Sequence, residues 1–125
     1  KVLRNRLQKM HQQICDDTRH FQTLYMESKH QTLKRVKLLR YTVEFVSSLF
    51  AEDDVKTYLK TLKPLQETLG HFNDLMVAQG LYESHAQTEP KTWFVLGWIA
   101  SEERHISIQI EQDLQQFAES QPFWS

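Results

Sequence analysis

Apolar residues recur along the start of the chain at spacings of three, four or seven: Leu3, Leu7, Met10, Ile14, Phe21 and Leu24 form one stripe of a 3.6-residue helix. The pattern predicts a first helix from about Val2 to Tyr25, polar on its other faces, with a break near Glu27 and Ser28. Val36, Leu39, Val43, Val46 and Phe50 then stripe a second helix reaching about Phe50. Asp53 and Asp54 have the side chains of a helix cap. A third helix carries Val55, Tyr58, Leu62, Leu65, Leu69, Phe72 and Met76 on one face and reaches the low eighties. Pro64 lies inside it, where a missing backbone donor predicts a kink or restart. Ala86 to Pro90 reads as a loop, with Pro90 suited to the first turn of a fourth helix. That helix shows Val95, Ile99, Ile106, Ile110, Leu114 and Phe117. Four amphipathic helices with short connections predict an all-α fold, an antiparallel four-helix bundle.

Composition agrees with that class. Three glycines and three prolines are sparse punctuation for 125 residues, and the chain fits one domain over residues 1–125. Cys15 is the only cysteine, which excludes an internal disulfide, a thiolate zinc site and a CxxC redox pair. A cytoplasmic setting is expected from that. No apolar run approaches the roughly 20 residues of a spanning helix, so no membrane partner is expected. The chain starts at Lys1 with a helical pattern already running at Val2, as a piece of a longer polypeptide would.

Charge changes the picture more than composition does. The net charge of -1 hides a partition: residues 1–41 hold ten Lys or Arg and three Asp or Glu, and the remainder holds five and thirteen. Charge segregated in this way creates a local positive potential. Within the basic part, Lys34, Lys37, Tyr41, Glu44 and Ser48 fall within about 40° of His30 around the second helix, with Arg40 about 80° to one side. The ribbon lies between the main apolar stripe and a second apolar flank of Leu38, Phe45 and Leu49. Such a row supplies donors to phosphate oxygens, with arginine as a planar fork and lysine as a point charge. Periodicity alone favours a plain solvated face, with Arg40 and Glu44 making an ordinary i,i+4 pair.

The segment from His30 to Phe45, with Lys34, Lys37, Leu39-Arg40-Tyr41 and Glu44, resembles the signature helix of the CHAD family, named for its histidine-bearing α-helical domain. Leu65 to Asp74, including Leu69-Gly70-His71, is similar to that family's second landmark, and Leu96-Gly97-Trp98 to its third. The alignment corresponds to the C-terminal half of a domain in which two helical bundles pack side by side. The resemblance implies binding of inorganic polyphosphate through His30, Lys34, Lys37 and Arg40, with Arg35 as a further candidate. It also implies a larger protein carrying the N-terminal half and a CYTH-type triphosphatase domain as partners. Gln31, Leu33 and Leu38 stand at positions often basic in the family, which thins the cationic surface. Arg35 lies about 140° from His30 on the helical wheel and is expected to face elsewhere. A homodimer is a further partner left open. The alternative is a structural bundle that positions the neighbouring catalytic domain.

The remaining constellations carry less. Glu27 with His30 and Glu102 with His105 repeat the Glu-x-x-His spacing of di-iron bundles, but the two pairs fall at different depths, roughly 15 to 20 Å apart along the axis. No metal or other cofactor is expected. Gln66, His71, Asn73 and Asp74 make a polar patch beside the core stripe of the third helix, read as amides that set helix register, with Gly70 permitting close approach. His11 borders the apolar stripe as a satisfied, partly buried histidine. Trp93 and Trp98 are expected to anchor the core, and Trp124 to cap the bundle or contact the absent half. The tryptophans are poorly interleaved with basic residues, so nucleic acid is not an expected partner. No serine, cysteine or carboxylate pair stands in a catalytic arrangement, and the fragment is not expected to be an enzyme.

Overall fold

A computed structural model describes residues 2–20, 26–85 and 89–124, with the side chains of 18–20 and 26–28 left aside. Its described residues form four α-helices: α1 (Val2–His20), α2 (Met26–Val46), α3 (Glu52–Glu83) and α4 (Thr92–Glu119). A short 3-10 turn, Ser47–Leu49, joins α2 to α3. The fold is an all-α bundle.

The apolar stripes meet in one core. Leu7 and Ile14 of α1, Val36, Leu39 and Val43 of α2, Leu62, Leu65 and Leu69 of α3, and Ile110, Leu114 and Phe117 of α4 are all buried together. Leu33 and Leu75, which the stripes had not included, are buried as well. Phe21 and Leu24 lie outside the described residues. At one end His11, Tyr58, Phe117 and Trp124 form a ring cluster, with the His11 ring tilted against Phe117 at 4.5 Å and Tyr58 5.2 Å from Trp124. The buried indole of Trp124 donates to Gln8 Oε1 at 3.0 Å and closes that end.

Several boundaries differ from the sequence expectation. Glu27 and Ser28, where a break was expected, are inside α2, which begins at Met26. α2 ends at Val46, short of Phe50. Ser47 Oγ donates back to the Glu44 carbonyl at 2.9 Å, and Phe50 is fully extended, with φ -132° and ψ 169°. Hydroxyl groups that bond their own backbone offer an alternative to the helical ladder, and the tighter turn uses it. Asp53 and Asp54 do not cap α3. Ala51 occupies that position without a side-chain bond, and Glu52, Asp53 and Asp54 fill the first turn, where negative charge favours the helix dipole. Pro64 does not restart the helix: α3 runs through it as one element of 32 residues. The ring is on the exposed face, where water can serve the carbonyl that its missing N–H leaves unpaired. Pro90 precedes α4 in a turn instead of opening the helix.

Trp93 and Trp98 do not anchor the core. They are 62% and 58% exposed, near Phe94 at 84%. His30, at the fifth position of α2, is level with Asn73, and α3 continues ten residues beyond that point to Glu83. Hydrophobicity alone marked these tryptophans, but they lie where α3 and α4 outrun α2. Among the described residues no helix is long and apolar enough to cross a membrane.

Candidate functional site

The basic row begins as a property of α2 and is joined to α3 by hydrogen bonds at its ends. With Val36, Leu39 and Val43 buried in the core, the helix period leaves Lys34, Lys37, Tyr41 and Phe45 exposed on the opposite side. Lys34 and Lys37 are exposed and make no ion pair or hydrogen bond among the described residues. They are the middle of the row.

Its two ends are tied down. His30 Nδ1 lies 2.9 Å from the amide oxygen of Asn73, a geometry in which the ring nitrogen donates to the amide. At the other end Arg40 donates through Nε to Glu44 Oε1 at 2.8 Å and through a terminal nitrogen to Gln66 Oε1 at 3.1 Å. Lys29 adds a further tie between the helices, with Nζ 5.3 Å from the centre of the Phe72 ring. As residue number rises along α2 from His30 to Arg40, the partners on α3 fall from Asn73 to Gln66, so the row and the polar patch run alongside in opposite senses.

The polar patch therefore divides. Gln66 and Asn73 orient Arg40 and His30 at the two ends, whereas His71 and Asp74 are exposed. Gly70 lies between the two amides, yet no neighbouring atom lies within 4 Å of where a Cβ would stand. The expectation of close helix approach at Gly70 is corrected: the space beside it is open.

Arg35 leaves the row. Its guanidinium donates to Asp17 Oδ2 on α1 at 2.7 Å, and Thr32 donates to the same oxygen at 2.9 Å. This matches its wheel position on the far side from Lys37. Leu33 is buried, so at that position the core has taken the side chain, whereas Gln31 and Leu38 are exposed and could carry charge without disturbing packing.

Other polar clusters serve the interior. Asp113, buried on α4, accepts from Thr68 at 2.6 Å and from Gln109 at 3.0 Å. His11 Nδ1 is 2.8 Å from the Tyr58 hydroxyl, and burial lowers the His11 pKa and raises that of Tyr58. No group of three or more His, Cys, Asp or Glu side chains is placed to hold a metal among the described residues. His105 bonds the Ser101 carbonyl on its own helix at 3.0 Å.

What the geometry offers is a ribbon of oriented and free cations on one face of a bundle. Residues 1–83 match the sequence model of the CHAD domain. The chain belongs to the CHAD family. The match takes in α1, α2 and α3 and both the signature helix and the Leu65 to Asp74 landmark, while Leu96-Gly97-Trp98 lies beyond it. No curated protein and no solved structure matches the chain. The CHAD domain is not itself a catalytic family.

Proposed function

We propose that this CHAD chain is a non-catalytic binding module for inorganic polyphosphate, working in the cytoplasm and gripping the polymer along His30, Lys34, Lys37 and Arg40. One observation carries the reading: two exposed lysines without ion pairs among the described residues stand between His30 and Arg40, each oriented by an amide of the neighbouring helix. Arg40 pairs with Glu44 on its own helix and keeps a second bond to α3.

Each group has a distinct part. Lys34 and Lys37 supply mobile point charges that follow a flexible polymer. Arg40 presents the remaining guanidinium donors from a fixed position, and His30 faces the row with Nδ1 held on Asn73. Open space beside Gly70, which lies between Gln66 and Asn73 on α3, leaves that side of the row uncrowded. Binding of this kind is electrostatic and releases counterions, so it weakens steeply with salt, by analogy with nucleic-acid phosphates.

The test is calorimetric titration of the chain with long-chain polyphosphate at low salt, with orthophosphate at equal phosphate concentration as control. Saturable binding of the polymer alone is expected. Lack of binding at low salt, or equal loss of affinity from Lys37→Ala and from Lys91→Ala on a distant turn, sinks the reading.

A further inference from the structure

The end of α4 passes into a segment that no helical ladder holds. Ser120 leaves the helix in extended backbone, with φ -69° and ψ 150°, and its N–H and its hydroxyl both donate to the Phe117 carbonyl, at 3.0 and 2.6 Å. Residues 121–124 then cross the end of the bundle as a strap. Side chains dock it. The Phe123 ring stands edge-on to Phe50 at 5.0 Å and to Tyr58 at 5.3 Å, and Trp124 stands edge-on to Tyr58 and, at 5.8 Å, to His11. The indole N–H goes to Gln8.

Beneath this strap lies His11, buried at 5% exposure, whose imidazole is the group here that changes charge near neutral pH. Facing it are the Tyr58 hydroxyl of α3, the Phe117 ring of α4 and Trp124 of the strap, while α1 itself places Gln8 and Cys15 a turn away on either side. α2 brings Val43 and Val46 to the core. Among the described residues no carboxylate pairs with the ring. Asp54, one turn before Tyr58, is exposed and borders the outer edge of the strap across a cleft of about 300 Å³.

With His11 neutral, donors and acceptors balance: Nδ1 and the Tyr58 hydroxyl share one bond at 2.8 Å, and the Trp124 indole uses Gln8. A proton on the ring turns its acceptor nitrogen into a second donor. The cluster then holds a charge without a counter-ion and a donor without a partner, both costly away from water. Relief by moving a helix would open the core, because Leu7, Ile14, Leu62 and Leu114 are packed in it together. The strap moves without that cost.

We propose that residues 121–124 form an acid-released strap, docked while His11 is neutral and detached once it is protonated. Detachment admits water to the imidazolium and bares Tyr58 and Phe50, with the four helices in place. Burial holds the His11 pKa below the ordinary 6.5 while the strap is docked, and the detached state returns it toward that value. Docking is therefore at full strength above 6.5 and fails as pH falls through the docked value. The device is separate from the cationic row and does not rest on the polyphosphate reading.

Trp93→Phe with Trp98→Phe leaves Trp124 as the only tryptophan, and both replaced side chains are exposed, so helical circular dichroism should match the wild type. As pH is lowered from about 7.5 to about 5, Trp124 emission should shift to the red and its quenching by acrylamide should rise several-fold, with the helical signal unchanged. The His11 Cε1–H resonance, followed by NMR in the same chain, should titrate with the same midpoint. Adding His11→Gln should abolish the tryptophan transition. Emission that stays blue and shielded until the helices melt overturns the proposal. So does a His11 titration that leaves Trp124 in place, as it would if the surrounding rings hold the imidazolium by cation–π contact. A transition that persists in His11→Gln, as one driven by Asp54 would, overturns it as well. The first two outcomes need only the single-tryptophan chain, so they decide the matter even if His11→Gln does not fold.

Discussion

His30 on α2 and Asn73 on α3 share a hydrogen bond of 2.9 Å, although they are 43 residues apart in the chain. The bond settles which ring nitrogen is occupied and which way the imidazole faces. Asn73→Ala removes no charge, yet it should weaken polyphosphate binding by roughly threefold to tenfold, the value of about one hydrogen bond. Calorimetry on this variant beside His30→Ala measures it. If Asn73→Ala binds as wild type does, the amide has no positioning role.

Lys34 and Lys37 make no ion pair among the described residues, so their charges are available in full. Replacing both with alanine should reduce the slope of log affinity against log salt by about 2, near one for each phosphate that is no longer neutralised. Lys56→Ala, at a lysine paired with Glu52 at 3.1 Å, should leave the slope unchanged. Titrations at three salt concentrations decide between them.

Burial lowers the pKa of His11 below the ordinary 6.5. The unfolded chain therefore takes up a proton at a higher pH than the folded one. The stability this contributes is complete above 6.5 and is lost as pH falls through the folded value. Urea midpoints should drop between about pH 7.5 and 5.5 by more in the wild type than in His11→Gln, which keeps a polar group near Tyr58 without titrating. Parallel pH dependence in the two proteins would show that His11 is not responsible.

Two tryptophans should behave in opposite ways. Trp124 is buried at 3% exposure against His11 and Tyr58 and donates to Gln8, so Trp124→Ala should cost about 3–5 kcal/mol in urea denaturation. Trp93, 62% exposed, should cost under about 0.5 kcal/mol when changed to serine.

Asp113 is buried and accepts from Thr68 and Gln109. Thr68→Val keeps the shape of the side chain and removes one of those donors, and it should cost about 1–3 kcal/mol. The same denaturation measurement checks it, and a neutral result would mean that water replaces the hydroxyl.

The stripes from Leu7 to Ile14, Val36 to Val46, Val55 to Phe72 and Ile99 to Phe117 were legible because burial imposes a 3.6-residue period on whatever sequence forms the helix. Ends were less legible. The helical start of Glu27 and Ser28 and the 3-10 turn at Ser47 depend on how the next helix docks, which no local pattern encodes. At the site, the row and the outward turn of Arg35 followed from angles on one helix. The partners of His30 and Arg40 did not, because Asn73 and Gln66 lie on another element, and a polar patch beside a core stripe announces only that it will bond something. Trp93 and Trp98 misled because aromatic character is a poor measure of depth, and the relative lengths of the four helices decided their exposure.

That difference in length has a use. Leu81 and Trp98 lie past the level where α2 covers α3, and both are largely exposed. Amide hydrogens near them should exchange through local fraying, at a free-energy cost well below that of global opening. A ligand that grips the face of α2 would slow exchange at His30 and Asn73 and leave this overhang untouched. The far end of the α3–α4 hairpin is thus an internal reference clock, carried in the same molecule, against which protection at the cationic face can be timed.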